Sequence, residues 1–469
     1  MGHEEHPMRI HWYRRDLRLS DNRGLADAPE PPVGLFVFDD AVLEHAGAPR
    51  IAFMLDALET LREAYRDRGS ELFVRYGDPA VVVPEFATER NAEFVSWNHD
   101  YSGLAQDRDD GVKTALKEGD TTPQTFHDAI CHEPGSITTN AGDPYSVYTY
   151  FWKKWRDREK ESPREIPELA TVESTDDEPI PTGPSLGFNS PDANVPPAGI
   201  DAARQLLESF LDGNVYRYEE SRDYPAEKCT SRLSAHLKFG TIGIREVDER
   251  VRETLDAVTG ESRESVEEFR SQLAWREFYA HVLYFNPEVV AENYKQYENP
   301  IEWENDEVML DAWKRGETGY PIVDAGMRQL REEAFMHNRV RMIVASFLTK
   351  DLLIDWRSGY EHFRELLVDH DTANDSGGWQ WAASTGTDAQ PYFRIFNPMT
   401  QGERYDPDGE YITEYVPELR GVDPSVIHSW HELTPTERVD AAPEYAEPIV
   451  SHSDRREQAL AMFETARGE

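Results

Sequence analysis

The hydrophobic period of the chain changes once, and that change limits what it can fold into. From residue 9 to about 129, short apolar runs alternate with helical patterns. RIHWY (9–13), VGLFVF (33–38), ELFVR (71–75), FVSW (94–97) and QTFH (124–127) read as buried strands. Between the second and third, residues 51–69 carry apolar side chains at three-to-four spacing up to Gly69, which predicts a helix with a glycine cap. Such alternation implies a parallel, five-stranded, Rossmann-like sheet covered on both faces. Residues 158–200 are then rich in proline, serine and acid, and beyond them strand patterns cease. VEEFRSQLAWREFYAHVLYF (266–285), PIVDAGMRQLREEAF (321–335) and HNRVRMIVASFLTKDLLIDW (337–356) predict long helices. The expected organisation is an α/β domain over 8–130, a long linker over 131–200 and an all-α domain over 201–469.

Composition narrows the setting. The net charge is −41, from 90 acidic and 49 basic residues, and lysine is scarce beside arginine. With 39% hydrophobic and 11% aromatic residues the chain is not a disordered acidic polymer. A lysine-poor acidic surface on a globular protein fits solvation in concentrated salt, a halophile's cytoplasm. Cys131 and Cys229 supply neither a disulfide framework nor a metal cluster, consistent with a reducing compartment. No apolar run reaches membrane-spanning length, and the polar start MGHEEHP is no signal peptide. We expect a cytoplasmic monomer. No GxGxxG follows the first strand, which argues against an ordinary dinucleotide site there.

The densest chemistry lies in 369–404. Trp379 and Trp381 stand two apart, so on a helix they face roughly opposite environments, which a simple core stripe does not need. Thr230, Ser231 and Ser234 sit at a loop-to-helix boundary, where hydroxyls and amides hold a pyrophosphate or merely cap. Arg341 lies inside the apolar run VRMIVASFL and so requires a partner. Asn338, Arg341 and Met342 share one helical face.

In order along the chain, WYRRDLRLSDNRGL (12–25), TSRLS (230–234), LAWREFY (273–279), TGYPIVDAGMRQL (318–330), HNRVRM (337–342) and the 369–404 segment resemble the photolyase/cryptochrome family. The resemblance implies a FAD in the helical domain, contacted by Tyr218, Thr230, Ser231, Arg232, Leu233, Ser234, Phe269, Gln272, Trp275, Arg276, Arg341, Asp369, Asp371 and Asp375. It implies DNA contacts at Arg222, Trp275, Arg276, Asn338, Arg339, Trp381, Arg394 and Gln401. Trp303, Trp356 and Trp379 match the family's electron-transfer tryptophans, with Trp313 a possible branch; taken alone, the first two read as core residues. Asn338 and Met342 stand where the (6-4) photoproduct enzymes carry histidines, so UV-damaged DNA with cyclobutane pyrimidine dimers is the expected substrate. Two cysteines exclude the four-cysteine iron–sulfur branch. Residues 97–103, Phe36 to Asp39 and Arg50 are the expected antenna contacts, for 8-hydroxy-5-deazaflavin in preference to methenyltetrahydrofolate. The implied activity is that of a dimer-splitting photo-lyase; a blue-light photoreceptor without repair activity is the alternative.

Two positions depart from the repair enzymes. Asp375 replaces an Asn facing flavin N5 and is expected to favour protonated over anionic one-electron-reduced flavin. Gln272 replaces a Glu at the lesion; its amide is expected to donate to a thymine carbonyl at some loss of yield, which Gln272→Glu would recover.

Overall fold

Four largely apolar runs pair side by side because Val, Leu, Ile, Phe and Trp suit strands buried on both faces; the fifth, TPQTF, is a half-exposed edge strand and not the buried run expected at 124–127. The structure, a computed structural model, describes residues 8–172 and 178–469. The strands are β1 (Met8–Tyr13), β2 (Pro32–Phe38), β3 (Leu72–Tyr76), β4 (Ala92–Asn98) and β5 (Thr122–Phe126), all parallel, in the order β3-β2-β1-β4-β5. Ile10 lies opposite Val33 on one side and Val95 on the other. Helices α1 (Ala48–Arg66), α2 (Pro79–Glu89) and α3 (Gly103–Glu118) connect the strands. The strand order reverses between β1 and β4, which opens a crevice at the carboxyl ends of these strands. Helix α1 stops earlier than predicted: its last residue is Arg66, and Gly69 supplies the left-handed turn (φ 72°) that leads into β3.

The predicted linker is not all linker. Residues 148–157 form α4 (Tyr148–Asp157), whose buried Tyr148, Phe151 and Trp155 make a helical stripe joining the core of the helical domain. The following segment runs extended along the α/β domain. Ala170 N–H donates to Pro32 O at 3.0 Å, and Leu169 and Ile180 pack beside Phe38 and Leu61. Expectations for MGHEEHP and for 173–177 lie outside the described residues.

The helical domain uses α5 (Ser234–Phe239), α6 (Ile244–Ala257), α7 (Glu261–Phe285), α8 (Pro321–Glu333), α9 (Asn338–Ser346), α10 (Trp356–Leu366), α11 (Thr372–Ala382) and α12 (His452–Ala466), along with further helices such as Ile200–Leu211, Glu307–Arg315 and Pro398–Tyr405. One predicted helix is two. The run 337–356 leaves α9 through a π turn at Phe347–Asp351, and Leu353 takes φ 54° before α10 begins. Thr349 Oγ1 donates to Ala345 O at 2.8 Å, and Asp355 accepts the Arg357 N–H at 3.0 Å to start the new helix.

A buried ionic cluster joins the two domains. Arg18 donates to Asp128 at 2.6 Å, Arg245 of α6 donates to Asp21 at 2.6 Å, and Arg245 also pairs with Asp128. Arg18 further donates to Gly240 O at 3.0 Å. All four side chains are at most 3% exposed.

Candidate active site

Helix α11 starts at a carboxylate. Asp371 accepts the Asn374 N–H at 3.1 Å as its N-cap and is also gripped by Arg15 of the α/β domain at 2.6 Å. Burial alone would raise this carboxyl, but Arg15 and Arg276 hold it well below the usual carboxylate range. Arg341 of α9 finds its partner in Asp369, through two contacts of 2.8 and 3.0 Å from one nitrogen. Asp375 completes the cluster: it takes the Asp371 N–H at 3.0 Å and lies 2.7 Å from His370 Nδ1 and 3.9 Å from Arg341. Burial pushes His370 down in spite of that carboxylate. Tyr218 is buried edge-on against Phe269. Arg232 bends the 230–234 turn with φ 57° and stacks on Phe335, beside a cavity of about 210 Å³ that Ser234 also lines.

The first residue of α9 is open to solvent. Asn338 is exposed, Arg339 and Met342 are half-buried, and Asn338 Nδ2 lies 3.8 Å from Met342 Sδ. Around this end the arginines expected on DNA meet acids. Arg339 pairs with Asp223 at 2.6 Å and lies over the Tyr405 ring; Arg222 pairs with Glu268. Arg276 donates to Ala129 O at 2.6 Å and Leu237 O at 3.1 Å, so its guanidinium is tied to backbone rather than presented to solvent. Arg394 is exposed and Gln401 half-buried. Trp275 stacks on Tyr148 of α4 with centroids 3.6 Å apart, and Trp381, half-buried, meets Phe396. The Gln272 amide nitrogen donates to Glu268 Oε1 at 2.9 Å and to Ser271 Oγ at 3.0 Å.

Trp379 and Trp381 do face different surroundings. Trp379 is buried against Phe363 and Trp313, at 4.9 and 6.1 Å between centroids, and Gly359 of α10 admits its ring where a Cβ would lie 2.1 Å from it. Trp356 is buried, bonded to Asn293 through Nε1 and packed on Tyr360. Trp303 lies edge-on to Phe463 of α12. Trp313, Trp356 and Trp379 belong to one buried cluster, and Trp313 meets Trp379 edge-on.

At the sheet's switch point a cavity of about 510 Å³ opens between the domains. Of the residues expected there, Phe36 to Asp39, Arg50, Asp100, Ser102 and Gly103 line it, whereas Trp97, Asn98, His99 and Tyr101 do not; Arg15, Lys238, His370 and Asp371 line it as well. Burial, with Arg50 and Arg15 nearby, pushes the Lys238 amine well below the usual lysine range.

Residues 9–170 match the family model described as DNA photolyase, and 269–465 that of the FAD binding domain of DNA photolyase. A deoxyribodipyrimidine photo-lyase of Halobacterium salinarum is 63% identical over 98% of this chain and 100% of its own length. The chain belongs to the DNA photolyase family. A bacterial class III photolyase from Agrobacterium tumefaciens superposes with TM-score 0.92 at 35% identity, over 100% of this chain and 99% of that one. An archaeal photolyase from Sulfolobus tokodaii, solved with two FAD molecules, gives TM-score 0.85 at 32% identity, over 98% and 100%.

The photolyase site fits FAD on its own evidence. Arg339 Nε, His337 Nε2 and Trp379 Nε1 are buried without protein partners, while Arg341, Asp369 and Asp375 form a preset polar cluster beside apolar rings. Sequence reasoning missed His370, Asp223, Glu268, Arg15 and Lys238. Glu268 stands four residues before Gln272 on one helix, a spacing that signals contact; Asp223 pairs with a residue 116 positions away, which local pattern does not reveal.

Proposed function

We propose that this deoxyribodipyrimidine photo-lyase splits cyclobutane pyrimidine dimers in a cavity between α7, α9 and α11, with FAD at its floor and the flipped dimer at its mouth. The observation that carries this reading is one face of α9 on which a locked and an open group meet. Arg341 is paired with Asp369 beside Asp375, while Asn338, three residues earlier, is exposed and Met342 beside it is half-buried. Tyr218, Phe269, the 230–234 turn, Arg341, Asp369, Asp371 and Asp375 would hold the flavin. When bound in reduced form and excited, it supplies the electron that opens the dimer and takes it back afterwards. Trp275 and Trp381 offer faces for unstacked bases, and flipping a damaged pair costs only a few kcal/mol. Arg222, Arg339, Arg394 and Gln401 serve the flanking phosphates. Trp303, Trp356 and Trp379 relay electrons inward from the surface, with Trp313 as a side branch.

The interdomain cavity holds the antenna. Flat Phe36 and Phe38 rings beside the low-pKa Lys238 amine suit a tricycle with an acidic hydroxyl, which favours 8-hydroxy-5-deazaflavin over methenyltetrahydrofolate. Mass spectrometry of the bound chromophore tests this; a folate or a second FAD overturns it. We read the protein as a cytoplasmic monomer, which sedimentation in molar KCl checks.

The site assignment is tested by separating its two ends. Asp369→Asn is expected to purify with depleted flavin. Asn338→Ala is expected to keep its flavin but bind a dimer-containing duplex about tenfold more weakly in the dark. The opposite pattern overturns the reading.

A further inference from the structure

We propose that Glu268 is a positioning residue that decides how Gln272 reads the lesion, an inference that rests on the placement of Gln272 at the dimer given above. Glu268 and Gln272 lie one turn apart on α7, and the Gln272 amide nitrogen is 2.9 Å from Glu268 Oε1. A carboxylate accepts and does not donate, so the amide nitrogen, not the oxygen, must face it. The second N–H goes to Ser271 Oγ at 3.0 Å, and that hydroxyl in turn donates to the Glu268 backbone carbonyl at 2.8 Å. Both donors of Gln272 are then spent. What remains for a ligand is Gln272 Oε1, an acceptor alone.

An acceptor at this point complements a pyrimidine N3–H and not the carbonyls that flank it. The site therefore selects dimers whose ring nitrogen carries a proton. Arg222 pairs with the same Glu268 carboxylate, so the group that orients Gln272 also holds a guanidinium of the rim.

The test is dark binding of the FAD-loaded full chain, in molar KCl, to a duplex with one cis-syn thymine dimer and to the same duplex methylated at N3 of the dimer. Fluorescence anisotropy gives the ratio of the two affinities. Wild type is expected to lose about tenfold on methylation. Glu268→Ala frees the amide to rotate and donate, and its loss should shrink to about threefold or less. Glu268→Gln keeps an acceptor for the Gln272 amide and should retain most of the wild-type ratio. Glu268→Met stands in if the alanine variant does not fold. Freeing Arg222 changes both affinities alike and cancels in the ratio. Equal ratios in wild type and Glu268→Ala overturn the proposal. Gln272→Ala separates the two layers: weakened dimer binding supports the placement of Gln272, and unchanged binding overturns that placement together with the proposal.

Discussion

Two clusters of arginine and acid organise this protein, and burial alone sets them apart. Arg18, Asp21, Asp128 and Arg245 lie at the joint between domains, with side chains at most 3% exposed. Arg222, Asp223, Glu268 and Arg339 lie around the open start of α9, the mouth of the proposed site, with side chains 15–35% exposed. The same chemistry serves opposite ends. In the joint, bulk salt hardly screens the charges, and removing one partner strands another. At the mouth, water and ions share the charges, and a phosphate can take an arginine from its acid at little cost. For a chain of net charge −41 that matters, because long-range attraction to DNA is absent and recognition must be made by exchange at contact.

The sharpest way to break the comparison is Arg245→Met. It leaves Asp21 and Asp128 buried with Arg18 alone, and a cost of about 3–5 kcal/mol is expected. Urea unfolding at 1 and 4 M KCl should show the loss at both salts. The rim change Asp223→Asn should cost under about 1 kcal/mol in the same assay. A joint variant as mild as the rim variant would erase the distinction.

Glu277 extends the buried side of the comparison. Its carboxylate accepts the N–H groups of Cys131 at 2.7 Å and His132 at 2.9 Å, and burial raises its pKa to about 7. A carboxyl raised on folding binds its proton more tightly in the folded state. Stability is therefore greatest below its unfolded value and falls as pH rises towards about 7. Wild type should lose about 2–3 kcal/mol between pH 4.5 and 7 relative to Glu277→Gln, whose side chain does not titrate. Parallel stability curves for the two proteins would show that Glu277 does not titrate in this range.

The joint and the mouth also differ in how far the sequence discloses them. The parallel sheet was legible because four of its strands are largely apolar runs, the edge strand TPQTF being the exception, and the interdomain cavity followed from the strand ends. Arg341 was legible as a charge needing a partner, since VRMIVASFL surrounds it. The break at 347–355 was not, because Phe347, Leu348, Leu352 and Ile354 are buried in the π turn and loop just as they would be in a helix. Helix α4 was hidden by the proline-rich sequence after it. The acids of the mouth escaped because Asp223, next to Arg222 in sequence, is spent on Arg339.

Gln272→Glu tests whether the mouth obeys the rule of shared, solvated charge. The substitution sets a second carboxylate about 3 Å from Glu268. Two carboxylates that close do not both stay ionised in a half-buried site, and one pKa rises. The single variant should bind the dimer several-fold more weakly at pH 8 than at pH 6, and the gain in repair yield expected from sequence should appear only when Glu268→Gln accompanies it. A single variant whose yield rises at pH 8 would show that solvent separates the two groups.

The smallest effect expected is on DNA that carries no lesion. Asp223→Asn frees Arg339, which then meets phosphate without first leaving an acid at 2.6 Å. Binding of undamaged duplex should tighten by about threefold at 0.5 M KCl, and the gain should vanish by 3 M, where screening reaches about 3 Å or less. Dimer-containing duplex should gain by the same factor, because the contact proposed for Arg339 is to backbone in both, so the ratio between them should not move. The alternative is that Asp223 reads the lesion itself. That ratio would then fall with the substitution, and the mouth would be a recognition element rather than a charge exchanger.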